Sequence, residues 1–285
     1  MFPVEFEYFR AESVGEAISL LGEHPGAAVL AGGHSLIPAM KLRLSNPAAL
    51  IDLGRIEALK GVTVSDGAVR IGSLTTYATL AASEDLPTGL AEAASLIGDR
   101  QVRNRGTIGG NVAHNDPASD LAPVLTALGA SFHASGPEGE RVVPASEFFT
   151  GMFETALEGD EVLAEVELPR KSGAGSAYVK LPHPASGYAM IGVAVVLNVA
   201  GGVCTAARVV IGGMTPIATP APSAEEALVG QALDEDAFAA AAEAAVENLG
   251  EDLLGDLHAS AIYRKSVLPV YVRKALTLAA SRTAQ

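Results

Sequence analysis

The sequence reads as an α+β protein in two parts. Three observations carry this. Strand-like and helical runs alternate irregularly, without the regular β-α-β order of a doubly wound parallel sheet. Hairpin signals recur at Ser65-Asp66-Gly67, at Gly136-Pro137-Glu138-Gly139 and at Gly201-Gly202. From Ala224 the chain turns alanine-rich and helical. A larger mixed region therefore runs to about residue 170, followed by a smaller sheet with helices.

Each element has a local reason. Val4 to Phe9 is strand-like in composition. Ser13-Val14-Gly15-Glu16 has the hydroxyl-to-carboxylate spacing of a capping box, and Val14, Ala17, Ile18 and Leu21 continue at helical spacing. His24-Pro25-Gly26 stops that helix. Ala27 to Leu30 is a short buried strand that runs into Ala31-Gly32-Gly33-His34-Ser35, and Ser35 to Leu44 is a further apolar segment. Leu50 to Leu53 is another strand, and Val62 to Val64 pairs with Ala68 to Ile71. Thr75 to Ala82 and Leu86 to Ile97 are helical, and Arg100, Arg103 and Arg105 form a basic cluster.

Next comes a second glycine loop, Thr107-Ile108-Gly109-Gly110-Asn111, and a helix from Pro117 to Leu128. Ser131 to Ala134, Arg141 to Val143 and Val162 to Leu168 are strands, and Lys171 to Gly175 is small and flexible. Tyr178 to Leu181, Ile191 to Val199 and Ala207 to Ile211 are strands of the second part. Asp234 to Leu249 is helical, as is Ser260 to Ala280, the latter interrupted at Pro269.

Composition excludes several classes. With 49% hydrophobic and 18% charged residues, a chain of 285 residues has enough apolar surface to fold as a globular protein. A net charge of −14 argues against nucleic acid, which demands clustered Lys and Arg. The single cysteine, Cys204, rules out an intrachain disulfide and a four-cysteine cluster, and its small neighbours point to packing. The N-terminus has no signal-peptide pattern and no apolar run is long enough to span a bilayer, so the expected location is cytoplasmic.

The two glycine loops are the chemically informative stretches. Adjacent glycines let backbone approach a ligand, and successive N–H groups make anion-binding concavities. Two such loops can enclose a diphosphate, with Ser35, Thr107 and Asn111 adding side-chain donors. Neither matches the phosphate-loop or G-x-G-x-x-G pattern, and a Gly-Gly pair alone is usually a turn.

Together, AGGHSLIPAMKLRL from Ala31, TIGGNVAHNDPASDLAPVL from Thr107, KLPHPASGYAMIGVAVVL from Lys180 and YRKSVLPVYVRKAL from Tyr263 resemble the FAD-binding subunits of the molybdenum hydroxylases. The nearest group is the medium subunits of aerobic carbon monoxide dehydrogenases, which are relatives of the xanthine dehydrogenase flavin domain. The resemblance implies a vanillyl-alcohol-oxidase-type FAD-binding domain at 1–172, made of two α+β subdomains (about 1–55 and 56–172), and a C-terminal domain of small antiparallel sheet and helices at 173–285.

It also implies FAD as the cofactor of this chain, with the diphosphate on Ala31, Gly32, Gly33, His34, Ser35 and Leu36 and on Thr107, Ile108, Gly109, Gly110 and Asn111. Asp120 matches the family acid that accepts bonds from cofactor hydroxyls, and Ile97 and Leu163 match apolar lining positions. Lys180 matches a lysine close to the flavin, where a cation stabilises the reduced anionic ring, and Tyr188 matches an aromatic near the isoalloxazine. His34 is expected to position rather than to act as a base, and His183 is a weaker candidate. The arginine cluster either steadies phosphate or meets a partner, with the interface favoured.

The implied role is electron transfer with no substrate-side catalytic residue and no metal ligand in this chain. A large subunit carries the molybdopterin cofactor, a small subunit carries two [2Fe–2S] clusters, and the flavin passes electrons to an external acceptor such as a quinone, in a dimer of heterotrimers. An acceptor in the membrane would draw the assembly to its inner face. Carbon monoxide is the expected substrate of the molybdenum subunit. A xanthine, nicotine, quinoline or aldehyde hydroxylase, a stand-alone FAD oxidoreductase and an acidic binding protein without flavin are the alternatives.

Overall fold

The fold is described from a computed structural model that covers residues 1–65, 67–170 and 173–283. Asp66 of the first hairpin turn lies outside the described residues, as do Lys171 and Ser172 of the expected flexible junction.

The described residues form three sheets of three or more strands and one two-stranded ribbon. The strands Glu7–Arg10, Ala49–Asp52 and Ala28–Leu30 pair in that spatial order and all in parallel. The helix Val14–Glu23 follows the first of them. Ser13 Oγ accepts from Glu16 N–H, while the Glu16 carboxylate reaches one residue further back than a capping box requires, to Glu12 N–H. Ala17 and Leu21 of this helix pack with Ile51, Leu53, Leu74 and Val162.

The second sheet is antiparallel, in the order Val62–Ser65, Ala68–Gly72, Val162–Pro169, Ser131–Gly136, Gly139–Pro144. The helices Thr88–Leu96, Ile108–His114 and Leu121–Leu128 bury Leu90, Ile108, Val112, Leu121 and Leu125 against it in one core with Phe132 and Phe148. A two-stranded ribbon, Phe149–Gly151 with Glu154–Thr155, has no counterpart in the sequence reading; it is too short to show a period.

The third sheet runs Gly175–Pro182, Ala189–Ala200, Val203–Gly212, Thr219–Pro220, all antiparallel. It is buried on both faces. Tyr178, Ala194, Val196 and Val210 join the central core. Ile191, Val193, Val195 and Val209 face the helices Pro222–Leu228, Glu235–Ala244 and Ala261–Ala280. That explains the nearly unbroken apolar run from Ala189 to Leu197. Cys204 is fully buried in the same core, as its neighbours imply.

Three expectations need correction. The helix Ala261–Ala280 passes through Pro269 unbroken, because Leu268, Val272, Ala275, Leu276 and Ala279 hold both halves in one core. The residue whose carbonyl loses its partner, Lys265, is exposed, so water can replace the missing N–H. The helix expected from Pro117 begins at Leu121; Asp116 Oδ1 takes Ala118 N–H and Ser119 Oγ takes Leu121 N–H, which bends 116–120 into a turn. The TIGGN stretch is a helix start rather than a loop, as described below. Among the described residues no helix is long and apolar enough to cross a membrane.

Candidate cofactor site

A cavity of about 560 Å³ lies between the parallel sheet and the antiparallel one. Its wall carries Ala31, Gly32, Gly33, His34, Ser35 and Leu36 on one side and Thr107, Gly109, Gly110 and Asn111 on the other, with Leu163 at the strand below. The two glycine stretches, far apart in sequence, therefore meet at one space.

They contribute in different ways. The strand Ala28–Leu30 ends and the short helix Leu36–Lys41 begins within a few residues, so the segment between belongs to neither ladder. Gly33 takes a left-handed φ of 73°, which glycine adopts without strain. Among the described residues, no acceptor meets the backbone N–H groups of Gly32, Gly33, His34, Ser35 or Leu36. Five successive free donors thus line the cavity. Gly32 is glycine for a second reason: a Cβ there would lie 2.2 Å from the Arg105 carbonyl oxygen.

The second stretch has its amides occupied. Thr107 is the N-cap of the helix Ile108–His114, and its Oγ1 accepts from Gly110 N–H. Ile108 and Gly109 donate to Thr75 and Ser73 carbonyls, and Asn111 to the Thr107 carbonyl. Gly109 is bare because a Cβ would lie 2.5 Å from Ser73 Cβ, whereas a Cβ on Gly110 would meet only Thr107 Oγ1 at 2.9 Å and Ala31 Cβ at 3.5 Å. The Ser73 Oγ, on the cavity wall, is buried with no partner among the described residues. Among the described residues, no Lys or Arg lines this cavity.

Behind it stands a buried polar cluster. Lys180 Nζ lies 3.0 Å from Asp120, and both side chains are almost fully enclosed. Lys180 also donates to the Leu96 carbonyl at 2.9 Å and the Gly187 carbonyl at 2.8 Å. An ammonium has three N–H donors, so all are used. Asp120 sits at the helix N-cap position yet makes no capping bond. Its carboxylate instead accepts from Tyr178 OH at 2.7 Å and from Lys180. Burial pushes the Asp120 carboxyl up, opposed by Lys180 and Tyr178.

Ser119, next to Asp120 in the chain, reaches the cavity wall through Asn111. Its Nδ2 donates to Tyr77 OH at 3.1 Å, and its Oδ1 accepts from Ser119 Oγ at 2.6 Å. Burial raises the Tyr77 phenol to about 12, so it stays neutral.

Ile108, Ile97 and Tyr188 fall outside the cavity wall. Ile108 is fully buried in the core. Ile97 ends the helix Thr88–Leu96 and packs against the core. Tyr188 is half-exposed in the connection between Gly175–Pro182 and Ala189–Ala200. His34 Nδ1 lies 3.2 Å from the Gly32 carbonyl, consistent with holding the loop. The arginines separate: Arg103 Nη1 donates to the Ile97 and Gly98 carbonyls and closes its own turn. Arg105 lines a second cavity with Arg10, Arg55 and Lys60. A further titratable group, His133 with Glu165 and Glu167, lies on the central sheet, where Arg70 pairs with both carboxylates.

Sequence reasoning missed Ser73, Tyr77, Asn115 and Tyr178. Asn115 takes a left-handed φ of 45° and donates to the Gly151 and Glu154 carbonyls, anchoring the ribbon whose Phe153 and Glu154 line the cavity. An Asn at a helix end before Asp-Pro was a readable signal for that backbone. The other three carry no local signal, since their roles arise only from tertiary contact.

Residues 4–171 match the FAD binding domain in molybdopterin dehydrogenase, and residues 176–279 match the CO dehydrogenase flavoprotein C-terminal domain. The chain belongs to the flavoprotein subunits of the molybdenum hydroxylase family. It is 41% identical to the carbon monoxide dehydrogenase medium chain of Hydrogenophaga pseudoflava, over the full length of both chains. It is 40% identical to the medium chain of Afipia carboxidovorans over 99% of each. A solved structure of the Hydrogenophaga pseudoflava enzyme superposes with a TM-score of 0.95 at 42% identity, covering all of both chains. That agreement bears out the α+β class, with an FAD-binding part followed by an antiparallel sheet and helices. In a flavoprotein subunit of this family, the cavity between the two glycine stretches is the place to look for the cofactor.

Proposed function

We propose that this chain is the FAD-carrying medium subunit of an aerobic carbon monoxide dehydrogenase. In this reading it takes electrons from the [2Fe–2S] clusters of a small partner subunit. They originate at a large molybdopterin-containing subunit and leave through an external acceptor such as a quinone. The full-length identity to two carbon monoxide dehydrogenase medium chains supports the subunit assignment and the substrate. The observation that carries the cofactor site is the row of five free N–H groups from Gly32 to Leu36 in a cavity that, among the described residues, no Lys or Arg lines.

The residues fit the group. A diphosphate needs donors, and a row of N–H groups that no protein acceptor meets offers several from one segment. Ser73 Oγ is a second orphaned donor on the same wall. Gly110 leaves the opposite wall low, and Thr107 and Asn111 are held by the cap and by Tyr77. Bound here, FAD supplies reversible two-electron storage with one-electron steps, which couples clusters to a two-electron acceptor. Ala31 and the free N–H groups of Gly32 to Leu36 would hold its diphosphate, Thr107, Gly109, Gly110 and Asn111 would shape the facing wall, and Leu163 would close an apolar side.

Asp120, Lys180 and Tyr188 form the flavin end. Because the three Lys180 donors are already used, Lys180 acts on the ring through charge and through holding its neighbours, rather than through an N–H bond of its own. Ile97 and Ile108 act from behind, as packing.

The test is carbon-monoxide-dependent reduction of a quinone analogue by the complex purified from the native host. Turnover with carbon monoxide and none with xanthine, nicotine or aldehydes supports the reading. Turnover with one of those instead overturns the substrate and leaves the subunit assignment standing.

A further inference from the structure

We propose that His183 is a positioning residue for the flavin end of the site: its imidazole Nδ1 holds the hairpin that presents the Gly187 carbonyl to Lys180 and sets Tyr188 in place. The link to flavin rests on the cofactor reading above; the hairpin geometry does not.

The connection between the strands Gly175–Pro182 and Ala189–Ala200 is His183-Pro184-Ala185-Ser186-Gly187-Tyr188. Its ends are tied by two backbone bonds, His183 N–H to the Tyr188 carbonyl at 2.7 Å and Gly187 N–H to the His183 carbonyl at 2.9 Å. The middle is tied by the imidazole. Nδ1 accepts from Ala185 N–H and from Ser186 N–H, each at 3.2 Å, and Ser186 Oγ lies at the same distance. Ser186 Oγ in turn accepts from Tyr188 N–H at 3.4 Å.

Two N–H groups aimed at Nδ1 leave no room for a proton there, so Nδ1 accepts and the ring carries its proton on Nε2. The same spacing, with a side-chain acceptor serving N–H groups two and three residues on, is what Asn and Asp do in Asx turns. Here Pro184 removes one competing donor, and Gly187 supplies the left-handed φ of 74° that turns its carbonyl back to Lys180. The His183 ring is braced edge-on by His258, centroids 4.4 Å apart. His258 belongs to the turn that Asp256 holds by accepting from His258 and Ala259 N–H. Arg264, buried, ties that turn to the Gly213 carbonyl of the sheet.

The chain of contacts is therefore imidazole to hairpin, hairpin carbonyl to Lys180, and Lys180 to Asp120. Without the Nδ1 acceptor, the Ala185 and Ser186 donors turn to water and the Gly187 carbonyl loses its fixed direction. Lys180 then loses one of three partners, and Tyr188 loses the fixed Ser186 Oγ that accepts its N–H and keeps its backbone bond from His183 N–H.

Three measurements decide the matter. The ¹⁵N shifts of the His183 ring in the full chain are expected to show an unprotonated Nδ1 and a protonated Nε2. Amide exchange at Ala185 and Ser186 is expected to speed up about 10-fold or more in His183→Ala, matching the loss of roughly one hydrogen bond each. His183→Asn keeps an acceptor at the right reach and is expected to restore most of that protection. In the assembled complex, the flavin midpoint potential is expected to shift in His183→Ala and return towards the parent value in His183→Asn.

A proton on Nδ1 overturns the proposal. So does unchanged exchange in His183→Ala, or a potential that His183→Ala leaves where it was. The first two readouts need no flavin, so a failure of the cofactor reading leaves them able to decide the hairpin role alone.

Discussion

Asp120 and Lys180 are 60 residues apart in sequence and form a buried ion pair at 3.0 Å where the antiparallel C-terminal sheet meets the FAD-binding part. Each is satisfied by more than the other: Tyr178 donates to Asp120, and the Leu96 and Gly187 carbonyls accept from Lys180. The pair thus joins four elements at one point. Removing one partner leaves the other charge enclosed. Lys180→Ala is expected to cost about 3–5 kcal/mol in urea unfolding. Asp120→Asn in the same background should recover a large part of that loss, which a double-mutant cycle would read. Additive losses would mean the pair is not coupled.

The two glycine stretches give opposite expectations for similar changes. A Cβ at Gly32 would lie 2.2 Å from the Arg105 carbonyl oxygen, which is backbone and cannot move cheaply. Gly32→Ala is therefore expected to reduce soluble, folded protein. A Cβ at Gly110 meets only a hydroxyl at 2.9 Å and a methyl at 3.5 Å. Gly110→Val is expected to fold and to lose FAD, because the branched side chain fills the approach. Full flavin occupancy in Gly110→Val, measured from the visible spectrum of the folded protein, would remove that wall from the site.

Ser73 separates binding from stability. Its Oγ has no partner among the described residues, so Ser73→Ala is expected to leave the unfolding free energy of the flavin-free protein unchanged or to raise it by about 1 kcal/mol. If the hydroxyl serves the cofactor, FAD affinity should fall about 10-fold, the value of one hydrogen bond. Equal affinity in the two proteins would assign the hydroxyl no role.

Tyr77 predicts an alkaline limit. Its phenol is raised to about 12 from an ordinary 10.0 by burial. Between those values the unfolded chain loses a proton that the folded state keeps, so stability falls as pH rises. The slope from this group is about 1.4 kcal/mol per pH unit. Tyr77→Phe is expected to flatten the decline in urea-derived stability above pH 10, relative to its own value at pH 8. An unchanged slope would mean that Tyr77 ionises without unfolding.

Much of the fold was legible because it is written locally. The capping hydroxyl at Ser13, the stop at His24-Pro25-Gly26 and the hairpin at Gly201-Gly202 each act within a few residues. Where tertiary packing decides, the sequence misled: Pro269 does not break a helix whose two halves share one core, and TIGGN reads as a loop because its glycines hide a Thr-capped helix start. The site shows the same divide. Both glycine stretches stood out by composition, and they do meet at one cavity. Which of them keeps its N–H groups free depends on Thr75 and Ser73 carbonyls that no local pattern announces. The saturation of Lys180 likewise depends on Leu96, Gly187 and Asp120, from three other elements.

The central claim is that the N–H groups of Gly32 to Leu36 hold the diphosphate of FAD. Amide hydrogen exchange across those residues tests it most directly, in the complex purified from its native host and again after the flavin is removed. The account predicts slow exchange at Gly32–Leu36 with FAD bound and fast exchange without it, while Ile108 to Asn111, bonded inside the protein, change far less. Fast exchange at Gly32–Leu36 in a fully flavin-loaded complex, or a complex that purifies without flavin and binds none when it is added, would contradict it.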